Sequence, residues 1–340
     1  MRSRADMLGL AAIGVGGLAL LFGLPQVVEI FTLVDLTIFV ILSTLALSLA
    51  LVWGFGGILC FGQSAFFGLG GYAYAIAVLN MGESTVPILL GILLPMLFAA
   101  LLGYFMFWGR VSDVYLAVIT LTVSLIFFHL VNSTSGPEYR IGSAPLGGAN
   151  GIPGVPQINV PGDPGRQLGF DEMFQLAMAV LLLTYFGLRW LLASHFGRVV
   201  VSIRENELRA ELLGYDARRY KLAVFVIGAG IAGVAGVLFA NWGSFIGPNV
   251  FSIFFTAQII IWIMVGGLGT LGGAVIGTVI IQFLTTWLGE TKIADTNLVL
   301  GVIFVLFVLL VPNGLQPMLR DLFGGWAARR AVARTGKGAP

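Results

Sequence analysis

Residues 31–53 read FTLVDLTIFVILSTLALSLALVW, and Asp35 is the sole ionisable side chain in that run. A bilayer core is about 30 Å thick and an α-helix rises about 1.5 Å per residue, so a run of this length and character predicts a membrane-spanning helix. Comparable runs lie at roughly 7–24, 62–80, 87–108, 114–131, 173–192, 222–241, 253–266, 271–288 and 297–312. Together they predict an all-α polytopic membrane helical bundle of about ten spans. Composition agrees: the 340 residues are 58% hydrophobic and 10% charged, with a mean hydropathy of +0.98. A soluble domain carries about 25% charged residues. The first run follows Arg2 and Arg4 as in a signal peptide, but a second run follows at once without a small-residue cleavage site, which predicts an uncleaved first helix. The pair at 253–288 is short and interrupted by Gly266, Gly267, Gly269, Gly272 and Gly273. It reads either as two spans or as one broken or re-entrant helix.

Cytoplasmic loops of membrane proteins hold an excess of Lys and Arg. Ten alternating spans divide the 18 basic residues into 15 on one side and three, Arg140, Arg166 and Lys292, on the other. Both termini are therefore expected in the cytoplasm. Residues 1–318 read as a transmembrane domain and 319–340 as a basic cytoplasmic tail. Two long loops stand out, an external one at 132–171 and a cytoplasmic one at 193–221. The first contains GGANGIPGVP at 147–156, which cannot be regular helix. Loops of such length are usually functional or disordered.

His129 and His195 are the only histidines, and neither sits in a metal-ligand spacing. No run combines a nucleophile, a base and an oxyanion donor. The expectation is no enzyme, no catalytic residue, no metal and no cofactor. The lone cysteine, Cys60, reads as a small buried residue. Basic residues sit in particular loops and form no nucleic-acid footprint, so no nucleic acid is expected as a partner. Ion-driven carriers place ionisable groups within the bilayer, and these spans hold almost none. No G-x-x-x-x-G-K-[ST] run occurs either, so energy is expected from another chain.

The cytoplasmic loop is the most specific feature. From 196 to 213 it reads FGRVVVSIRENELRAELL, with Glu205 and Arg209 at a favourable i,i+4 spacing. Val199, Val200 and Ile203 mark one apolar edge; Leu208 and Leu212 mark another. Gly214 suits the left-handed conformation that ends a helix, and Asp216 can cap the next. This predicts a short amphipathic helix at the membrane face, either a solvated or lipid-bound loop or a knob that docks in a partner. Gly228, Ala232, Gly233 and Gly236 form a small-residue stripe suited to close helix packing. The runs GFGGILCFGQSAFFGLGGY at 54–72 and VGGLGTLGGAVIG at 265–277 carry too much glycine for continuous helices. They resemble each other loosely, which predicts two structural repeats with broken helices lining a substrate path. Gly70, Gly266 and Gly267 are candidates for that path, with Gln63, Ser64 and Gln258 as polar contacts.

In these places the chain resembles the bacterial branched-chain amino-acid ABC transporter permeases and their urea and amide relatives. The resemblance runs from about 49 to 315. It rests on GFGGILCFGQSAFFGLGGYAYA at 54–75, GGANGIPGVP at 147–156, the long passage from 196 to 240, and MVGGLGTLGGAVIG at 264–277. It implies an inner-membrane permease that works with a second homologous permease subunit, two cytoplasmic ATPase subunits and an external solute-binding protein, in contact with membrane lipid. It places the family's ATPase-coupling loop at Arg204, Glu205, Asn206, Glu207, Arg209, Gly214 and Tyr215. The implied substrate is a branched-chain or related amino acid; urea or a short-chain amide stays open, and a secondary carrier is the reading from another class.

Overall fold

The computed structural model describes residues 4–136, 138–160, 163–291, 299, 301 and 302. Its helices, in chain order, are α1 (Arg4–Val27), α2 (Ile30–Leu49, continued by a π-helical segment Ala50–Phe55), α3 (Gln63–Met81), α4 (Thr85–Trp108), α5 (Asp113–Asn132), α6 (Phe170–Ala193), α7 (His195–Glu205), α8 (Glu207–Leu212), α9 (Ala217–Trp242), α10 (Ile253–Gly266) and α11 (Leu271–Thr291). Among the described residues seven helices are long and apolar enough to cross a membrane: Ile30–Phe55, Gln63–Met81, Thr85–Trp108, Asp113–Asn132, Phe170–Ala193, Ala217–Trp242 and Leu271–Gly289. Two shorter apolar helices, Ile13–Val27 and Ile253–Gly266, accompany them. The chain is a multi-pass helical membrane bundle. The expected span at 297–312, apart from three isolated positions, and the expected tail at 319–340 lie outside the described residues.

Helices α2, α3 and α9 form the interior, with Leu45, Ala46, Phe66, Phe67, Phe225 and Ala232 at or near zero exposure. Around them α4, α5, α6 and α11 turn large apolar side chains outward, such as Leu93, Leu97, Phe105, Val118 and Phe283. Water would reject such a surface; hydrocarbon does not. Polar side chains within α2 are satisfied locally: Thr37 donates to the Leu33 carbonyl, Ser43 to Phe39 and Thr44 to Val40. Asp35 is exposed, at the end of α2 where the Trp242 indole donates to the Val34 carbonyl at 2.9 Å.

Small residues let the interior close. A Cβ on Gly70 would lie 2.6 Å from the Gly233 Cα and 2.8 Å from the Gly91 oxygen, so α3, α4 and α9 touch backbone to backbone. One helical turn on, Gly236 abuts the Phe67 carbonyl and Gly71. Gly228 of the same face abuts Val52 and Ser48 of α2, and Ala232 is fully buried beside it. The segment 253–288 resolves into an antiparallel helix pair: Gly266 abuts Gly273, and Gly277 abuts the Trp262 carbonyl. Its turn needs Gly267 at φ +114° and Gly269 at φ +80°. A side chain there would collide with its own backbone.

The bundle has two distinct ends. At one end lie α7, α8, the turn after α2, the α4–α5 turn and the α10–α11 turn, with Arg110, Arg198, Arg204, Arg209, Arg218, Arg219 and Lys221. At the other lie the described residues of 133–169, with Arg140 and Arg166. That segment is ordered by specific bonds. Ser84 and Asn159 exchange two hydrogen bonds, at 2.8 and 3.1 Å, and the Asn241 side-chain oxygen Oδ1 accepts from the Ile158 amide at 3.0 Å. Ile152–Pro153 pairs antiparallel with Phe245–Ile246, tying the loop to the end of α9.

Candidate functional site

The loop between α6 and α9 is a small folded unit. Ser194 opens α7 by accepting from the Gly197 amide, and Val199, Val200 and Ile203 turn inward. One amphipathic helix was expected through 213; the structure has two. Asn206 is extended, at φ −160° and ψ 100°, so it ends α7. Its side-chain oxygen then accepts from the Arg209 amide at 2.9 Å and starts α8. Asparagine competes for backbone donors in this way and breaks a helix that periodicity alone would continue. The split replaces the expected Glu205–Arg209 pair with others: Arg204 with Glu205 at 3.3 Å and Lys221 with Glu207 at 2.6 Å. Asp216 makes no capping bond and instead pairs with Arg219 at 3.0 Å.

The unit has its own core of Val199, Ile203, Ala210 and Ala217, with Tyr215 and Tyr220 packed against it. Gly214 sits at φ +89° with open space around it, so its requirement is conformational. The Tyr215 hydroxyl lies 3.4 Å from His195 Nε2, closing the loop on itself. Leu208, Leu212 and Leu213 of the α8 segment are exposed at 68%, 81% and 68%. Beside them a groove of about 430 Å³ is lined by Arg110, Asp113, Glu207, Glu211, Arg218 and Lys221. The unit thus presents an apolar ridge next to charges of both signs.

Arg204 spans both sides: its Nη2 pairs with Glu205, while its Nη1 reaches into the bundle. Its guanidinium donates to the Gly54 carbonyl at the end of the π-helical segment, and Gly269 of the α10–α11 turn is adjacent. Two of the glycine-rich motifs and the charged loop therefore meet at one side chain.

A second cluster lies inside the bundle. After α2 the chain runs non-helically through 58–62, with Ile58 and Cys60 buried, and α3 starts at Gln63. The Gln63 side-chain nitrogen Nε2 donates to Ser48 Oγ at 2.8 Å and to the Gly228 carbonyl at 3.2 Å. Ser64 Oγ lies 3.1 Å from Ser124 Oγ and 2.7 Å from Thr256 Oγ1, and the Phe61 amide donates to Thr120 Oγ1 at 3.1 Å. Of the six path candidates, Gln63 and Ser64 stand in this cluster and Gln258 is half-buried on α10 near Thr256. Gly70 lies at the α3–α9 crossing, and Gly266 and Gly267 lie beside Gly273 and in the turn near Arg204, so the six form no single patch. Ser48, Thr120, Ser124 and Thr256 were not singled out in the sequence. Their signal was their polarity within otherwise apolar spans.

A multi-pass bundle with broken glycine-rich segments and a folded, charged loop at one end is the architecture of a membrane permease. The match to a family model makes that specific: residues 32–311 fit the family described as "Branched-chain amino acid transport system / permease component", and the chain belongs to it. It is similar to the "High-affinity branched-chain amino acid transport system permease protein LivM" of Escherichia coli (strain K12), 28% identical over 314 residues, covering 84% of this chain and 69% of that protein. The corresponding LivH of the same organism is 32% identical over 145 residues, covering 41% and 44%. A "Probable branched-chain amino acid transport permease protein LivM" of Methanocaldococcus jannaschii is 25% identical over 156 residues, covering 42% and 45%. No solved structure matches the chain.

Proposed function

We propose that this chain is the permease subunit of an ABC importer that moves branched-chain or related amino acids across the bacterial inner membrane. The observation that carries the reading is the family match over 32–311. The permease works with a second homologous permease subunit, an external solute-binding protein and two cytoplasmic ATPase subunits. Hydrolysis belongs to those partners, consistent with the absence of a P-loop motif from this sequence. Both termini are cytoplasmic, and the glycine-rich segments belong to two structural repeats. Glu205, Asn206, Glu207, Arg209, Gly214 and Tyr215 hold the α7–α8 unit in the shape that meets the ATPase, with Leu208, Leu212 and Leu213 as its apolar ridge. Gln63, Ser64 and Gln258 are the polar side chains nearest the solute route, as befits a zwitterion crossing an apolar bundle.

The test is copurification with the ATPase partners and binding protein, reconstitution in vesicles, and a survey of solutes. Leucine, isoleucine or valine should stimulate ATP hydrolysis and accumulate inside. Stimulation by urea or short amides alone would move the substrate class, and accumulation without ATP would make the protein a secondary carrier.

A further inference from the structure

The last turn of α2 is irregular in a defined way. The amides of Gly56, Gly57 and Ile58 bond to the carbonyls of Leu51, Trp53 and Val52. The Gly54 carbonyl lies beyond those bonds, at the negative end of a long helix, and the Arg204 guanidinium donates to it. A cation is favoured at such an end, and a charge-assisted bond is stronger than a neutral one. Three glycines surround this contact. A Cβ on Gly57, at φ +69°, would lie 2.7 Å from Arg204 Cγ; one on Gly269, at φ +80°, would lie 3.4 Å from Arg204 Nη1; one on Gly54 would lie 2.9 Å from the Gly269 nitrogen. The junction of α2, the α10–α11 turn and α7 is therefore backbone on two sides and one arginine on the third. On the loop side Arg204 is held by the buried Ile203 before it and joined to α8 through Asn206.

From this geometry we infer that Arg204 is a positioning residue inside the permease, a strut that makes the α7–α8 unit, the end of α2 and the α10–α11 turn move together, and is not part of the face that meets the ATPase. The inference rests on the ATP-driven reading for its consequence, since movement of the docked unit would then reach both glycine turns through this side chain. Arg204→Met keeps the aliphatic stem and removes the donors; Arg204→Lys keeps a cation able to meet the carbonyl.

Two measurements test it. Hydrogen exchange of the full chain in lipid nanodiscs needs no ATPase. Arg204→Met should exchange at least about tenfold faster at 54–58 and at 267–270 together, because a capped helix end and the turn beside it lose one shared restraint, and Arg204→Lys should recover most of the protection. Unchanged exchange at either turn overturns the strut. In the reconstituted complex, Arg204→Met should lower the solute moved per ATP hydrolysed while Arg204→Lys restores it; a ratio equal to wild type overturns it too. If Arg204→Met does not assemble, Gly57→Ala displaces the same stem from the opposite side and is read by the same ratio and the same exchange. A wild-type complex without ATP-driven uptake would refute the proposed function, while exchange at the two turns would still judge the strut.

Discussion

The two glycine-rich segments, 54–72 and 265–277, look alike in sequence and meet in space where Gly54 touches Gly269, yet they are built differently. In the first, a helix loosens into a π-helical end, the chain crosses 58–62 without helix, and α3 begins inside the bundle. In the second, α10 turns sharply at 267–270 and α11 runs back along it in close contact. Glycine meets three separate needs here. Gly57, Gly267 and Gly269 adopt positive φ, Gly70 and Gly266 let backbones touch, and Gly54 clears room for a neighbouring turn. Glycine density alone says that a helix is interrupted or closely approached, not that it lines a path.

The largest effect should separate close approach from path lining. Gly266→Val would drive a side chain into the Gly273 carbonyl, and Gly70→Val into the Gly233 and Gly91 backbones. Since backbone cannot step aside as a flexible side chain does, each should cost about 3 kcal/mol or more, at or above the top of the usual range for overfilled sites. Folded yield on size-exclusion chromatography should collapse for both. Normal yield with transport lost would mean that these glycines serve the route and not the contact.

Next come the turns. Gly267, at φ +114° and ψ +115°, occupies a region closed to side chains, whereas Gly57, at φ +69°, lies where asparagine is tolerated. Gly267→Ala should cost about 1–3 kcal/mol, and Gly57→Asn less when both are compared in an Arg204→Ala background, since with Arg204 present a Cβ on Gly57 would also lie 2.7 Å from the Arg204 Cγ; both are read as thermal midpoints in detergent. Equal midpoints for the two variants would remove the distinction drawn between the segments. Smaller still is Gln63→Leu, which deletes the two bonds donated by its side chain and the weak one it accepts from the Cys60 thiol at 3.7 Å. Because polar contacts between membrane helices average well under 1 kcal/mol each, about 1 kcal/mol in total is expected. A loss no larger than that of an exposed control substitution would show that the cluster does not hold α3 in place.

The smallest effect belongs to the loop. Lys221→Gln removes the 2.6 Å pair with Glu207, whose carboxylate is half-exposed. The expected cost is about 0–1 kcal/mol, shrinking as salt is raised. A large, salt-independent loss would mean that the α7–α8 unit depends on this pair and not on its buried Val199, Ile203, Ala210 and Ala217.

Much of the bundle was legible from single runs. The helices α2 to α6, α9 and α11 fall where the apolar runs lie, because hydropathy over a bilayer thickness is a local quantity. The loop at 193–221 was legible as charged and helical, but its division at Asn206 was not, since one side chain chose between continuing a helix and capping the next. The order within 133–169 was also hidden. Turn formers such as Gly147 and Pro153 announced irregular backbone, while the partners that fix it, Ser84, Asn80 and Asn241, sit far away in sequence.

What the sequence determined by itself was solvent and family: apolar runs select the bilayer, and the ordered motifs between 54 and 277 select the permease family that the match over 32–311 identifies. What only the tertiary structure decided was which glycine does what and where Arg204 points. A glycine is the same residue whether it turns a chain or admits a neighbour, and an arginine reads as a surface charge until its acceptor is known. Both depend on atoms brought together from positions as distant as 54, 204 and 269, and no local pattern records which carbonyl a π-helical end will leave exposed.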